Sequence, residues 1–158
     1  MLQTAIMWAS FLWVIPVFIW KLEVQMGVSP FAPMARLGWI LFVLASGLGQ
    51  WSAWSMAWHG EGTPLPFDTA RRFVVAGPYR WVRNPMALAG LAQGIAVGLI
   101  FGSFAVLALP VAGGIFWQHL VRPYEEADLA ARFGVPYKEY RANVSCWWPR
   151  WPRIRPKP

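Results

Sequence analysis

Charge is scarce in this chain. Only 13% of its 158 residues are Asp, Glu, Lys or Arg, about half the share found in a soluble domain, and residues 84–121 form a stretch of 38 that contains none. Such a stretch excludes an ordinary water-facing surface. Cysteine is almost absent as well: the lone Cys146 excludes an internal disulfide, and with two histidines, His59 and His119, it cannot complete a structural zinc site of the usual four ligands. No metal is expected. There is no internal repeat, heptad array or glycine-rich phosphate loop, and low complexity is confined to the Pro- and Arg-rich last ten residues, read as a poorly ordered tail.

What is present is apolar. Hydrophobic residues make up 57% of the chain and 12 are tryptophan, which makes the lipid bilayer the expected partner. The uncharged stretch would reach ~57 Å as one straight helix, nearly twice the ~30 Å of hydrocarbon to be crossed. It therefore has to turn back, and Phe101-Gly102-Ser103-Phe104 near its middle supplies the small, flexible residues of a tight turn. The expected fold is all-α integral membrane, a single domain over 1–158. It has about four transmembrane helices, at about 2–20, 37–58, 86–101 and 104–121, the last two forming a C-proximal helical hairpin. No positive charge precedes the first apolar run and Lys21 follows it, the wrong order for a secretory signal, so it is read as a retained span.

Orientation follows from the basic residues. With four spans, the N-terminus, the loop 59–85 and everything after residue 121 share one side and hold 12 of the 14 Lys and Arg, against Lys21 and Arg36 opposite. The positive-inside rule places that side in the cytoplasm, with both termini and the polar motifs. Trp20, Trp39, Trp58, Trp81, Trp117, Trp147, Trp148 and Trp151 fall near the expected boundaries, as an interfacial aromatic belt would. The net charge of +7 is read as attraction to anionic headgroups rather than to nucleic acid, because eight basic residues lie in the membrane-adjacent C-terminal segment.

That segment carries its own helix signals. Residues 124–133 read as a short helix with Leu129 and Phe133 on one face. Gly134 ends it, and Pro136 opens a second helix whose Tyr137, Tyr140 and Val144 share a face. The cytoplasmic C-terminal amphipathic helices thus cover 124–145, followed by a tail at 146–158. The hairpin brings two polar motifs to one water–lipid boundary: Gly77-Pro78-Tyr79-Arg80-Trp81-Val82-Arg83-Asn84-Pro85 before it, and Arg122-Pro123-Tyr124-Glu125-Glu126 after it.

With Gly60-x-Gly62-Thr63-Pro64 upstream and Glu125-Glu126-x-x-Leu129-x-x-x-Phe133-Gly134-x-x-Tyr137-x-x-Tyr140 downstream, the chain resembles the membrane-embedded methyltransferases of the isoprenylcysteine carboxyl methyltransferase and phospholipid methyltransferase superfamily. The resemblance implies S-adenosylmethionine as methyl donor, in a cytoplasmic-face pocket covered by the C-terminal helices, and an acceptor entering from the bilayer. The donor presents an ammonium, a carboxylate and a sulfonium, and Glu125, Glu126, Arg80, Arg83, Tyr79 and Trp81 are the carboxylates, guanidinium groups and aromatic faces that would meet them. One glutamate would take the ammonium while the other meets the ribose or fixes an arginine. The cofactor-binding set is then Gly60, Gly62, Tyr79, Arg80, Arg83, Asn84, Pro85, Glu125 and Glu126, and the catalytic set Arg83, Asn84 and His119. Plainer readings exist: glutamates solvated and paired with Arg122 and Arg132, a simple turn at Gly60 and Gly62, and an interfacial His119 bonded to backbone rather than sharing a helical face with Glu126.

Where many members of that superfamily have Arg-His-Pro-x-Tyr-x-Gly, this chain has Arg83-Asn84-Pro85-Met86-Ala87-Leu88-Ala89-Gly90. Asn84 forms hydrogen bonds but is no base. The expected reaction is an in-line displacement governed by proximity and orientation; a carboxylate or thiolate acceptor needs no base, whereas a lipid amine would call on His119 or a glutamate. A non-catalytic membrane assembly or scaffold protein retaining the fold is the alternative, and failure to bind the donor would mark it. Reporter fusions after Trp58, after Gly102 and at the C-terminus should read cytoplasm, outside and cytoplasm; a cytoplasmic signal at Gly102 would overturn the four-span arrangement.

Overall fold

The structure is a computed structural model and describes residues 10–28, 31–60 and 72–149. Among these every regular element is helical. A π-helical turn, Ser10–Val14, leads into α1, Ile15–Gln25; α2 is Ala35–Gly60; a 3-10 turn follows at Gly77–Arg80; α3 is Pro85–Phe101 and α4 Phe104–Phe116; a second π-helical turn, Trp117–Val121, leads into α5, Arg122–Asn143. Two helical stretches, Ala35–Gly60 and Phe104–Asn143, are long and apolar enough to cross a membrane, and Pro85–Phe101 is a shorter apolar helix. They support a multi-pass membrane placement. The expected first span at about 2–20 lies partly outside the described residues, as do Gly62 in the loop and residues 150–158 of the tail.

The chain forms two compact units, Met1–Gly47 with Ala89–Ile115 and Leu48–Leu88 with Phe116–Pro158. In the first unit, α3 and α4 pack closely because small residues face bulky ones. A Cβ on Gly94 would sit 2.9 Å from Pro110 Cβ, and one on Gly98 2.6 Å from Leu107 Cδ2. Pro110 lies inside α4, where it leaves one carbonyl of the preceding turn without its helical N–H partner. The turn at Gly102 has φ +65°, a conformation glycine adopts without steric cost, and an added Cβ there would also run into the Phe31 carbonyl.

The start of α4 is capped from a distance. Ser103 Oγ accepts from the Val106 N–H at 3.0 Å, and the Glu23 carboxylate accepts from the Ala105 N–H at 3.1 Å and from the Ser103 hydroxyl. Two otherwise orphaned helix donors are satisfied, and an anion sits at the positive end of the helix dipole. Glu23 reaches this turn because α1 continues past Lys21 to Gln25, five residues beyond the span end expected from sequence. Trp13 and Trp20 lie against Phe101, with ring centroids 5.9 and 5.7 Å away, and the Met34 N–H donates to the Leu99 carbonyl at 3.0 Å, satisfying an acceptor in the last turn of α3.

In the second unit, α5 breaks at Gly134, whose φ of 59° and ψ of −131° are not helical. The break folds Tyr137, Tyr140 and Val144 onto Leu129, Ala130 and Phe133, with Phe73 and Val75 completing the cluster. Phe73 meets Tyr137 and Tyr140 edge-on, at 5.8 and 5.2 Å between centroids. Gly102→Ala should lower stability in detergent by about 1–2 kcal/mol from the left-handed conformation alone, more with the Phe31 clash, read as a lower thermal midpoint; Gly47→Ala, where an added Cβ meets nothing within 4 Å, serves as control.

Candidate functional site

The second unit gathers charge around one carboxylate. Arg122 and Glu126 stand one helical turn apart at the start of α5, so their side chains meet, Nε to Oε1 at 2.8 Å. Arg83 Nη1 reaches the same oxygen at 2.5 Å, and Arg141 Nε takes Oε2 at 3.3 Å from beyond the Gly134 break. Side-chain exposure is 13% for Glu126 and 12% for Arg83, so the pair is held out of water, where one-sided removal is far costlier than at a surface. Arg83 is fixed through its backbone too: its N–H donates to the Ser145 carbonyl at 2.9 Å. Its Nε–H, by contrast, is buried with no hydrogen-bond partner among the described residues.

Two open clefts border this group. One, of about 250 Å³, is lined by Arg83, Arg122, Arg141, Ser145, Cys146 and Trp147 among others. The other, of about 340 Å³, is lined by Gln118, Arg122, Pro123, Glu126, Ala127, Ala130 and Arg141. Trp147 is held by its indole N–H on Gln118 Oε1 at 2.6 Å and by an edge contact with Trp117, 5.2 Å between centroids. Burial pushes the Cys146 thiol up despite the pull of Arg122 and Arg83 in the other direction, so it stays protonated and is no thiolate nucleophile.

Glu125 differs from its neighbour, having no hydrogen bond or ion pair among the described residues. The residue is exposed. Lost hydration, and then the Glu126 charge, move its pKa above the ordinary carboxylate value. Tyr79 is buried, and burial followed by the Glu125 charge pushes its phenol up, leaving it a firm O–H. Its carbonyl accepts the Tyr140 hydroxyl at 2.6 Å, which ties the last turns of α5 to the Gly77–Arg80 turn.

The other expected site residues divide. Asn84 Oδ1 accepts the Ala87 N–H at 3.2 Å and caps α3, with Pro85 buried at its first position. Arg80 is exposed with no ion pair among the described residues. Gly60 is buried at the end of α2 and its carbonyl accepts the Arg72 N–H at 3.1 Å; Gly62 lies outside the described residues. His119 is exposed and lines neither cleft, whereas Gln118 does. The wider π-helical turn at Trp117–Val121 shifts the register that an ideal helix would give. Arg141, Gln118, Cys146 and Trp147 join the site without having been expected. Only the Arg122–Glu126 spacing carried a local signal.

The phospholipid methyltransferase family model matches residues 34–135 of the chain. The chain is 28% identical over 146 residues to the methanethiol S-methyltransferase of Mycobacterium tuberculosis (strain ATCC 25618 / H37Rv), a match covering 87% of this chain and 55% of that protein. It thus spans about half the length of that curated relative. No solved structure matches it.

Tyr140→Phe removes the hydroxyl and strands the Tyr79 carbonyl. The expected cost is about 1–3 kcal/mol, measured by chemical denaturation in detergent, with faster proteolysis after Gly134; an unchanged midpoint would show that the tie carries no weight.

Proposed function

Because the chain belongs to the phospholipid methyltransferase family, we propose that it is a membrane-embedded methyltransferase that moves a methyl group from S-adenosylmethionine to a small or lipophilic acceptor at the cytoplasmic face. The observation that supports this reading is the unequal state of the two glutamates. Glu126 is saturated by three arginines, so it orients them; Glu125, its pKa raised by lost hydration and by the Glu126 charge, has no hydrogen bond or ion pair among the described residues, so it is the one fitted to an ammonium. Three guanidinium groups against one carboxylate leave positive charge for a ligand carboxylate, and the buried Arg83 Nε–H, without an acceptor among the described residues, points the same way. The residues present therefore fit the donor.

When bound, S-adenosylmethionine would supply a methyl group on a sulfonium, an already activated leaving group. The chain's own work is binding and orientation. Glu125 would hold the ammonium, the Arg83–Glu126 group would keep the guanidinium surface in place, and Tyr79 would present a protonated hydroxyl. None of these steps moves a proton. That economy suits a thiol or carboxylate acceptor ionised on arrival better than a lipid amine, for which a base would be needed. The thiol named in the Mycobacterium relative would join that class only as its thiolate.

Purified protein in detergent should bind S-adenosylmethionine, and Glu125→Gln should weaken binding by at least ~1.5 kcal/mol, about tenfold. The pH dependence follows from the raised pKa. As pH falls, Glu125 takes up its proton above the pH at which an ordinary carboxylate would, and the attraction for the ammonium goes with it. Parent affinity should therefore decline on the acid side from that higher pH downward, while the Gln variant stays flat. Equal affinities and identical pH profiles would return Glu125 to the role of a solvated surface charge.

A further inference from the structure

Arg141 stands apart from the other two arginines on Glu126. Arg83 and Arg122 share one carboxylate oxygen at 2.5 and 2.8 Å, whereas Arg141 alone takes the other, at 3.3 Å, with 54% of its side chain exposed. It also approaches from a separate arm of α5, because Glu126 precedes the non-helical Gly134 and Arg141 follows it. Both clefts count Arg141 among their lining residues. It is therefore a wall shared by two openings and the least firmly held member of the group.

The energetics of an exchange favour this residue. Glu126 would keep two charge-assisted hydrogen bonds on Oε1 if Arg141 left, so no buried carboxylate would be stranded. A half-exposed guanidinium has already kept much of its water and gives up less on meeting a new partner than buried Arg83 would. The helix beneath it need not move: Tyr140, the preceding residue, is buried and bonded to the Tyr79 carbonyl, and Tyr137 packs in the same cluster. Only the side chain has to swing.

We propose, resting on the donor reading above, that Arg141 is an exchangeable arm that pairs with Glu126 in the free protein and moves onto the carboxylate of a ligand entering the cleft bounded by Arg83, Arg122, Cys146 and Trp147. The ligand chemistry is a carboxylate. Its source is the amino-acid end of the donor or a carboxylate-bearing acceptor, and the two are separable.

The test is calorimetry on the full chain in detergent, comparing the parent, Arg141→Gln and Arg141→Lys with S-adenosylhomocysteine and its decarboxylated analogue, together with thermal midpoints in millimolar butyrate. If the carboxylate is the donor's, Arg141→Gln loses at least about tenfold in affinity for S-adenosylhomocysteine and Arg141→Lys loses less, while the decarboxylated analogue binds all three proteins alike. If it is an acceptor's, both adenosyl ligands bind parent and variants equally, and butyrate raises the midpoint of the parent but not of Arg141→Gln. An equal loss for both adenosyl ligands, or none for either, with butyrate acting alike on parent and variant, overturns the proposal. A parent that binds no adenosyl ligand overturns the donor reading instead, and the butyrate comparison then still decides the role of Arg141.

Discussion

A carboxylate largely out of water needs partners, and Glu126 recruits three, two of them from parts of the chain distant in sequence. Arg122 is supplied by helical spacing, Arg83 by the turn that precedes α3, and Arg141 by the arm beyond Gly134. Each partner has to be delivered at hydrogen-bond distance, and the rest of the second unit follows from that demand. The Ser145 carbonyl fixes the Arg83 backbone, the Tyr140 hydroxyl fixes the arm that carries Arg141, and the Gln118–Trp147 bond closes the wall beside them. Removing Glu126 would leave three cations facing one another in a place poor in water. A variant there would report on folding as much as on ligand, and in the proposed reading Glu125, which anchors nothing among the described residues, is the cleaner reporter of binding.

Much of this fold was legible in the sequence, for identifiable reasons. Glycine and proline mark the turn at Gly102 and the break at Gly134, and the spacing of Tyr137, Tyr140 and Val144 marks the buried face of the last arm. Those signals are local, and local signals survive folding. The convergence of Arg83 with Glu126 was legible only through the distance argument that forces the uncharged stretch to turn back.

What was not legible depends on departures from ideal helices or on contacts across long gaps. A π-helical turn leaves no composition signature, and the one at Trp117–Val121 puts Gln118 in the cleft wall and His119 outside it. Arg141 comes to Glu126 across a kink, where no fixed spacing relates the two. Glu23 looked like a juxtamembrane charge until the continuation of α1 carried it to Ser103 and the start of α4. In each case the residue type was visible and its partner was not.

Asn84 shows how a structural task bears on chemistry. Its side-chain oxygen is occupied by the Ala87 N–H, and Asn84 is itself followed by Pro85 at the first helical position, an arrangement asparagine serves as well as any residue. Histidine at this place would offer a ring that exchanges protons near neutral pH; asparagine offers only hydrogen bonds. The substitution thus keeps the start of α3 intact and removes a base from the edge of the site. With His119 turned outward and Cys146 held as a neutral thiol, the described side chain nearest to a base is Glu125, and in the proposed reading its charge is needed for the donor's ammonium. In the proposed reading, a site so furnished would work on acceptors that bring their own electron pair free of a proton, and the weight of catalysis would move from proton transfer to the placing of two ligands against fixed charges.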